Sequence, residues 1–130
     1  MKALLDTSVL LAGDVPRLEG DLAISAATLA ELHFGVLVTR DDGVRAERLR
    51  RLSLIERNFD ALPIDDAVAR AYGRLAAIVA HRGHQPRARV MDLLIAATAL
   101  AHEARLYTRN ADDLAGLDQL LKIVTVPVAR

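Results

Sequence analysis

The chain contains no cysteine and no tryptophan, and only 2 phenylalanines and 2 tyrosines among its 130 residues. Without thiols it has neither a disulfide framework nor a thiolate metal site, and a reducing compartment is allowed. So few rings leave little scope for reading nucleic acid by base stacking. Charge of one sign is missing too: 17 Lys and Arg balance 17 Asp and Glu, so no overall positive field marks a nucleic-acid binder. There is no long hydrophobic run. The mostly apolar stretch 93–101 is far too short to span a bilayer, and only Lys2 precedes Asp6 at the N-terminus, which is no secretory signal. A soluble, cytoplasmic protein with no membrane partner is expected.

What is present is apolar bulk. With 52% hydrophobic residues the chain has material for one core, and residues 1–130 are expected to form a single domain. Short apolar runs at Ala3–Leu5, Leu22–Ile24, Ala61–Ile64, Leu106–Tyr107 and Ile123–Val128 read as buried strands. Helices fill the gaps. Ser25 can cap one over Ala26–Val38, and Asp41 can start another reaching about Arg57, with Val44, Leu49, Leu52 and Ile55 on one side. Asp65 or Asp66 can cap a third, striped with Val68, Tyr72, Leu75 and Val79 and ending near Gly83, and a fourth runs from about Val90 to His102. The segment Arg82–Arg87 reads as a mobile loop. Strands alternating with helices predict an α/β fold, a three-layer α/β/α domain around a short central parallel sheet.

Most acidic residues lie among other charges, as solvated side chains should. Asp6, Glu31 and Asp92 do not. In MKALLDTSVL an apolar strand delivers Asp6, followed by Thr7 and Ser8, at the end where open α/β sheets gather function, so Asp6 is either a cap or a site. In SAATLAELHFGV the helical neighbours of Glu31 are Ala27, Thr28, Phe34 and Gly35, which give it no charged face, and Glu is rarely buried unless paired or metal-bound. Asp92 opens MDLLIAATALAHE, where it is either a first-turn complement to the helix dipole or a ligand. After the strand Leu106–Tyr107, the segment Thr108–Asp113 brings Asn110, Asp112 and Asp113 to a matching strand end. Carboxylates gathered at one edge repel one another and raise their pKa values unless a cation neutralises them. With no thiol and no histidine at ligand spacing, such a set matches a hard, oxygen-preferring ion, Mg²⁺ or Mn²⁺.

These four segments, LLDTSVL, ISAATLAELHFGV, MDLLIAATALAHEARLYTRN and ADDLAGLDQL, occur in the order and length of the PIN-domain ribonucleases, and the chain resembles in particular the VapC-type toxins of bacterial toxin–antitoxin pairs. The resemblance implies a PIN-like fold and a metal-dependent endoribonuclease. It makes Asp6, Glu31 and Asp92 the first three acidic positions. An acid in this family follows the strand-ending Thr by two residues or by five. Here those positions are Asn110 and Asp113, so the fourth role passes to Asp113, and Asn110 leaves one fewer negative charge for a second ion. Asp6, Asp92 and Asp113 would hold the ion, with Ser8, Thr108 and Asn110 as supporting polar groups and Asp112 facing solvent. Arg87 and Arg89, just before Asp92, either contact the RNA backbone or are surface charge. The implied partners are an RNA substrate, a VapB-like antitoxin and a second copy in a homodimer; helices from Ala26 to Arg57 are the expected place for the protein contacts.

Other signals carry less. His81 and His84 supply too few ligands for a metal and are expected in solvent, while His33 and His102 read as partly buried polar residues and Tyr72 and Tyr107 as core. A haloacid-dehalogenase-like phosphohydrolase would want an Asp where Ser8 stands. The rival from another class is a receiver-like signalling or binding domain without nuclease activity, with Asp65 as phospho-acceptor; it would also need a Lys after its last strands, and Lys122 precedes one.

Overall fold

The computed structural model describes residues 1–11 and 18–127. Five strands, β1 (Lys2–Leu5), β2 (Asp21–Ser25), β3 (Asp60–Leu62), β4 (Arg105–Thr108) and β5 (Ile123–Thr125), form one sheet in the order β3-β2-β1-β4-β5. Every pairing is parallel, with Leu4 opposite Ala23 on one side and Leu106 on the other. Five α-helices accompany them: α1 (Thr7–Leu10), α2 (Ala26–Val38), α3 (Asp42–Asn58), α4 (Asp66–His81) and α5 (Val90–Ala101). Short 3-10 turns cover Pro86–Arg89 and Ala111–Leu114.

Alternation along the strands divides the core in two. Leu4 and Leu106 face a cluster built with Val68 and Leu75 of α4 and Leu93, Ile95 and Ala99 of α5. Ala3, Leu5, Ile24 and Tyr107 face the other layer, where Leu32 and Val36 of α2 and Leu52 and Ile55 of α3 pack. A parallel sheet covered on both faces is the expected three-layer α/β/α arrangement.

The helix ends follow local chemistry. Ser25, Asp41 and Asp65 each cap a helix by accepting from a backbone amide, Ala27 N at 3.0 Å, Val44 N at 2.9 Å and Val68 N at 3.0 Å. Helix α4 closes with Gly83 N on Ala80 O and His84 N on Val79 O, a turn that needs the positive φ of Gly83, 81°.

Several expectations need correction. The supposed apolar side of α3 is only half buried: Leu52 and Ile55 are covered, whereas Val44 and Leu49 are exposed. Strand β3 spans Asp60–Leu62 rather than Ala61–Ile64, and Ile64 lies in solvent. The segment read as a mobile loop ends in the 3-10 turn Pro86–Arg89, because Pro86 supplies the φ and no amide at its first position. Helix α1 was not expected. His33 is exposed and sits 3.2 Å from Glu56 of α3 rather than being partly buried. Strand β5 ends at Thr125 rather than reaching Val128: Val126 and Pro127 are not strand, and Val128 falls outside the described residues. Among the described residues no helix is long and apolar enough to cross a membrane.

Candidate active site

The strand order reverses direction between β1 and β4, and in open α/β sheets the crevice beyond the carboxyl ends at such a point is where ligands bind. Asp6 follows β1 there and Thr108 ends β4. Asp6 N donates to Tyr107 O at 2.9 Å, which continues the ladder by one residue and fixes the backbone of Asp6 against β4.

Asp6 is both cap and site candidate. It is the N-cap of α1 and is buried. Its Oδ2 accepts from Thr108 Oγ1 at 2.6 Å and from Ser8 Oγ at 3.2 Å. Each hydroxyl accepts in turn from the next segment: Asn110 N donates to Thr108 Oγ1 and Arg109 N to Ser8 Oγ, both at 3.0 Å. Two amides thus polarise two hydroxyls, and both hydroxyls aim at one carboxylate oxygen, an arrangement that fixes its orientation. The other oxygen, Oδ1, receives only the long 3.5 Å contact from Ser8 N. It is the oxygen left for a ligand.

Glu31 is oriented from the same short segment. Thr7 Oγ1 donates to Glu31 Oε1 at 2.8 Å, and Thr7 also lies 3.1 Å from Thr28, one helical turn before Glu31. The consecutive residues Asp6, Thr7 and Ser8 therefore serve two carboxylates. The placement depends on Ser25, which caps α2 and pairs its hydroxyl with Thr98 of α5 at 3.1 Å, joining the helices that carry Glu31 and Asp92.

Asp92 lies in the first turn of α5 and is half-buried. Burial pushes its carboxyl above the usual carboxylate range, and the negative charges of Asp6, Glu31 and Asp113 push it the same way, with Arg89 opposing. Asp92 is thus within electrostatic reach of the other three candidate carboxylates. Asp113 is exposed in the 3-10 turn after β4, and its backbone oxygen accepts from Arg89 NH1 at 2.7 Å, tying that turn to the start of α5. Asp112 and the side chain of Asn110 face solvent, as does Arg87, which makes no described bond. Among the described residues no three acidic or histidine side chains stand close enough to ligate one ion directly. The donors are nonetheless all oxygens, Asp6, Glu31 and Asp92 at least partly buried, and the other carboxylates repel Asp92. Mg²⁺ keeps several of its waters and takes one or two carboxylates, so the set fits a hydrated hard cation rather than a closed protein cage.

Thr7, Thr28 and the Ser25–Thr98 pair had no assigned role from sequence. Thr28 three residues before Glu31 was the available signal, since that spacing shares a helix face. The receiver-like reading loses its acceptor, because the Asp65 carboxylate is engaged in capping α4.

A PIN domain profile matches residues 3–119. The chain belongs to the PIN-domain family. This PIN domain is 35% identical over 130 residues to Ribonuclease VapC5 of Mycobacterium tuberculosis, a match covering 95% of this chain and 93% of that protein. To Ribonuclease VapC4 of the same species it is 34% identical over 131 residues, covering 96% and 97%. The crystal structure of VapBC-5 from Mycobacterium tuberculosis, a member of the VapBC family of toxin-antitoxin systems, matches with a TM-score of 0.82 and 36% identity over 98% of both chains.

Proposed function

We propose that this PIN domain is a cytoplasmic endoribonuclease toxin that hydrolyses RNA phosphodiester bonds with a divalent cation, Mg²⁺ or Mn²⁺, and is neutralised by a VapB-like antitoxin. The observation that carries the reading is the gathering of carboxylates at one sheet edge, Asp6 fixed by Thr108 and Ser8 and Glu31 by Thr7, close enough to Asp92, with Asp113, to push its carboxyl above the usual range, a repulsion that a shared cation relieves. The relatives named as ribonucleases, and the toxin–antitoxin complex with the same fold, support the same choice.

Asp6 Oδ1, Asp92 and Asp113 would hold the ion in its hydrated form, with Glu31 as the fourth acidic group. The chemistry supplied by that ion is neutralisation of charge on the phosphodiester in the transition state and acidification of water. The protein's own part is positional. Thr108 and Ser8 hold Asp6 in one orientation, Thr7 holds Glu31, and a carboxylate left without a second donor can take the proton of an attacking water. Arg89, linked to the Asp113 turn, and exposed Arg87 are placed to meet the RNA backbone.

The antitoxin surface is proposed at a groove of about 530 Å³ between α1, α2 and α3. Leu11, Leu32, Phe34 and Leu52 line it together with Glu31, Arg48 and Arg51. Phe34, Leu37 and Val38 leave an apolar strip on α2, Leu37 with 73% of its surface exposed, which suits an apolar antitoxin segment and a homodimer contact.

Cleavage of a pool of structured cellular RNAs, with and without Mg²⁺ or Mn²⁺, tests the reading beside Asp6→Asn. Expected is cleavage that needs both the cation and Asp6, with the variant slower by at least about 100-fold. Wild-type activity in Asp6→Asn would remove the site assignment, and no cleavage by folded, antitoxin-free protein under either ion would remove the ribonuclease.

A further inference from the structure

At the opposite end of the strands the charge is reversed. A cleft of about 780 Å³ opens where β1, β4 and β5 begin, beside α4. Lys2, Arg70, Arg74, Arg105 and Lys122 line it, against a single acid, Glu103. The chain has only two lysines, and both are here. Among the described residues none of these five cations is ion-paired. In a chain of zero net charge these five cations stand together at the amino ends of β1, β4 and β5, roughly 13 Å of strand from the carboxylates beyond the carboxyl ends, while the acids Asp21 and Asp60 begin the neighbouring strands β2 and β3.

The cations form two rows. Arg70 and Arg74 are one turn apart on α4, about 6 Å along its axis. Lys2, Arg105 and Lys122 stand at the starts of adjacent strands, which are spaced about 4.8 Å apart. Between the rows the floor is small and apolar, including Ala71, Ala99 and Ala104, so a chain can approach closely, with Glu103 the one acid of the lining. No aromatic ring lines the cleft, so nothing there stacks a base. Several positive charges, unpaired among the described residues and without stacking or a base-reading surface, suit a ligand that carries several negative charges.

We propose that this cleft binds the phosphodiester backbone of single-stranded RNA at a distance from the cleavage site. The inference rests on the ribonuclease reading, which also supplies its physical motive. The acidic edge repels the very polyanion it would cut, so cations placed elsewhere add affinity to what Arg87 and Arg89 supply beside the site, through release of counterions from the RNA. The cleft holds RNA without regard to sequence and leaves the chemistry to the other edge.

The test is fluorescence anisotropy of a labelled single-stranded RNA of about 20 nucleotides in EDTA, which separates binding from cleavage, over a range of salt concentrations. Arg70→Gln/Arg74→Gln and Lys2→Gln/Lys122→Gln each change exposed side chains, and unchanged melting temperatures would verify the fold. Each pair is expected to weaken binding at least tenfold at low salt. The slope of log affinity against log salt should fall by about 1.4, which is two phosphate contacts at about 0.7 each for a single strand. Cleavage at saturating RNA with Mg²⁺ should stay at the wild-type rate. Unchanged affinity and slope in both pairs would overturn the proposal. So would binding of tripolyphosphate that depends on these residues while RNA binding does not, since the occupant would then be a free anion. Failure of the ribonuclease reading shows separately, as absence of cleavage with or without these substitutions.

Discussion

Asp6 shows how much a single side chain depends on the hydroxyls around it. Thr108 gives it the shortest bond at the site and simultaneously satisfies Asn110 N, so one buried hydroxyl fixes both the first carboxylate and the start of the turn that carries Asp113. Thr108→Val keeps the shape and removes both bonds. The expected result is a loss of activity of about 10–100-fold, the usual effect of removing a group that orients a metal-binding carboxylate. Stability should fall by about 1–3 kcal/mol, because Asn110 N and Asp6 Oδ2 lose partners in a part-buried place. Activity under saturating Mn²⁺ and the melting temperature check the two halves. Ser8→Ala should do less, since its bond to Asp6 is longer and Ser8 is less enclosed.

Among the elements, α2 and α5 matter most, because they carry Glu31 and Asp92 and are joined at Ser25 and Thr98. Ser25→Ala removes the cap of α2 and the partner of Thr98, which still donates to Leu94 O at 2.7 Å. It should cost about 1–2 kcal/mol, measured by denaturant unfolding, and should reduce cleavage through Glu31 without altering Asp6. A loss of stability with cleavage untouched would show that α2 holds Glu31 without this cap. These long helices were legible from sequence because cap and stripe coincide: Ser25, Asp41 and Asp65 sit one residue ahead of runs whose spacing repeats. Helix α1 was not legible, since four residues with β-branched Thr7 and Val9 show no period and owe their form to the Asp6 cap. On α3 the leucines outnumber the places that bury them, so hydropathy alone put Leu49 on the wrong side. The acids of the site stood out because Asp6, Glu31 and Asp92 have apolar company. Of their hydroxyl partners, Ser8 and Thr108 came from the resemblance, whereas Thr7 and Thr28 did not stand out, because they carry no hydropathy signal and Thr7 bonds to groups 21 and 24 residues away.

Only the whole molecule brings residues 6, 31, 92 and 113 together, and that gathering carries an energetic cost which a measurement can expose. Asp92 has a higher pKa folded than unfolded, so in the window between the two values the folded chain binds more protons. Its contribution to stability is therefore present below the unfolded value, near the ordinary 3.8, and is lost as pH rises through the folded value. The cation-free protein should lose melting temperature over that window, and Asp92→Asn, which cannot ionise, should lose less and melt higher at neutral pH while cleaving little. Mg²⁺ or Mn²⁺ should reverse the loss in the wild type, by about 2.7 kcal/mol at 100 times the dissociation constant. The same addition should shift Asp92→Asn far less, and should shift wild type less at low pH, where protons compete for the carboxylate. A melting temperature indifferent to both cations at neutral pH would sink the assignment of an ion to these carboxylates. The fold would then be tolerating their repulsion for another reason, with the apolar packing of Leu4, Leu93 and Leu106 beneath the site offsetting it.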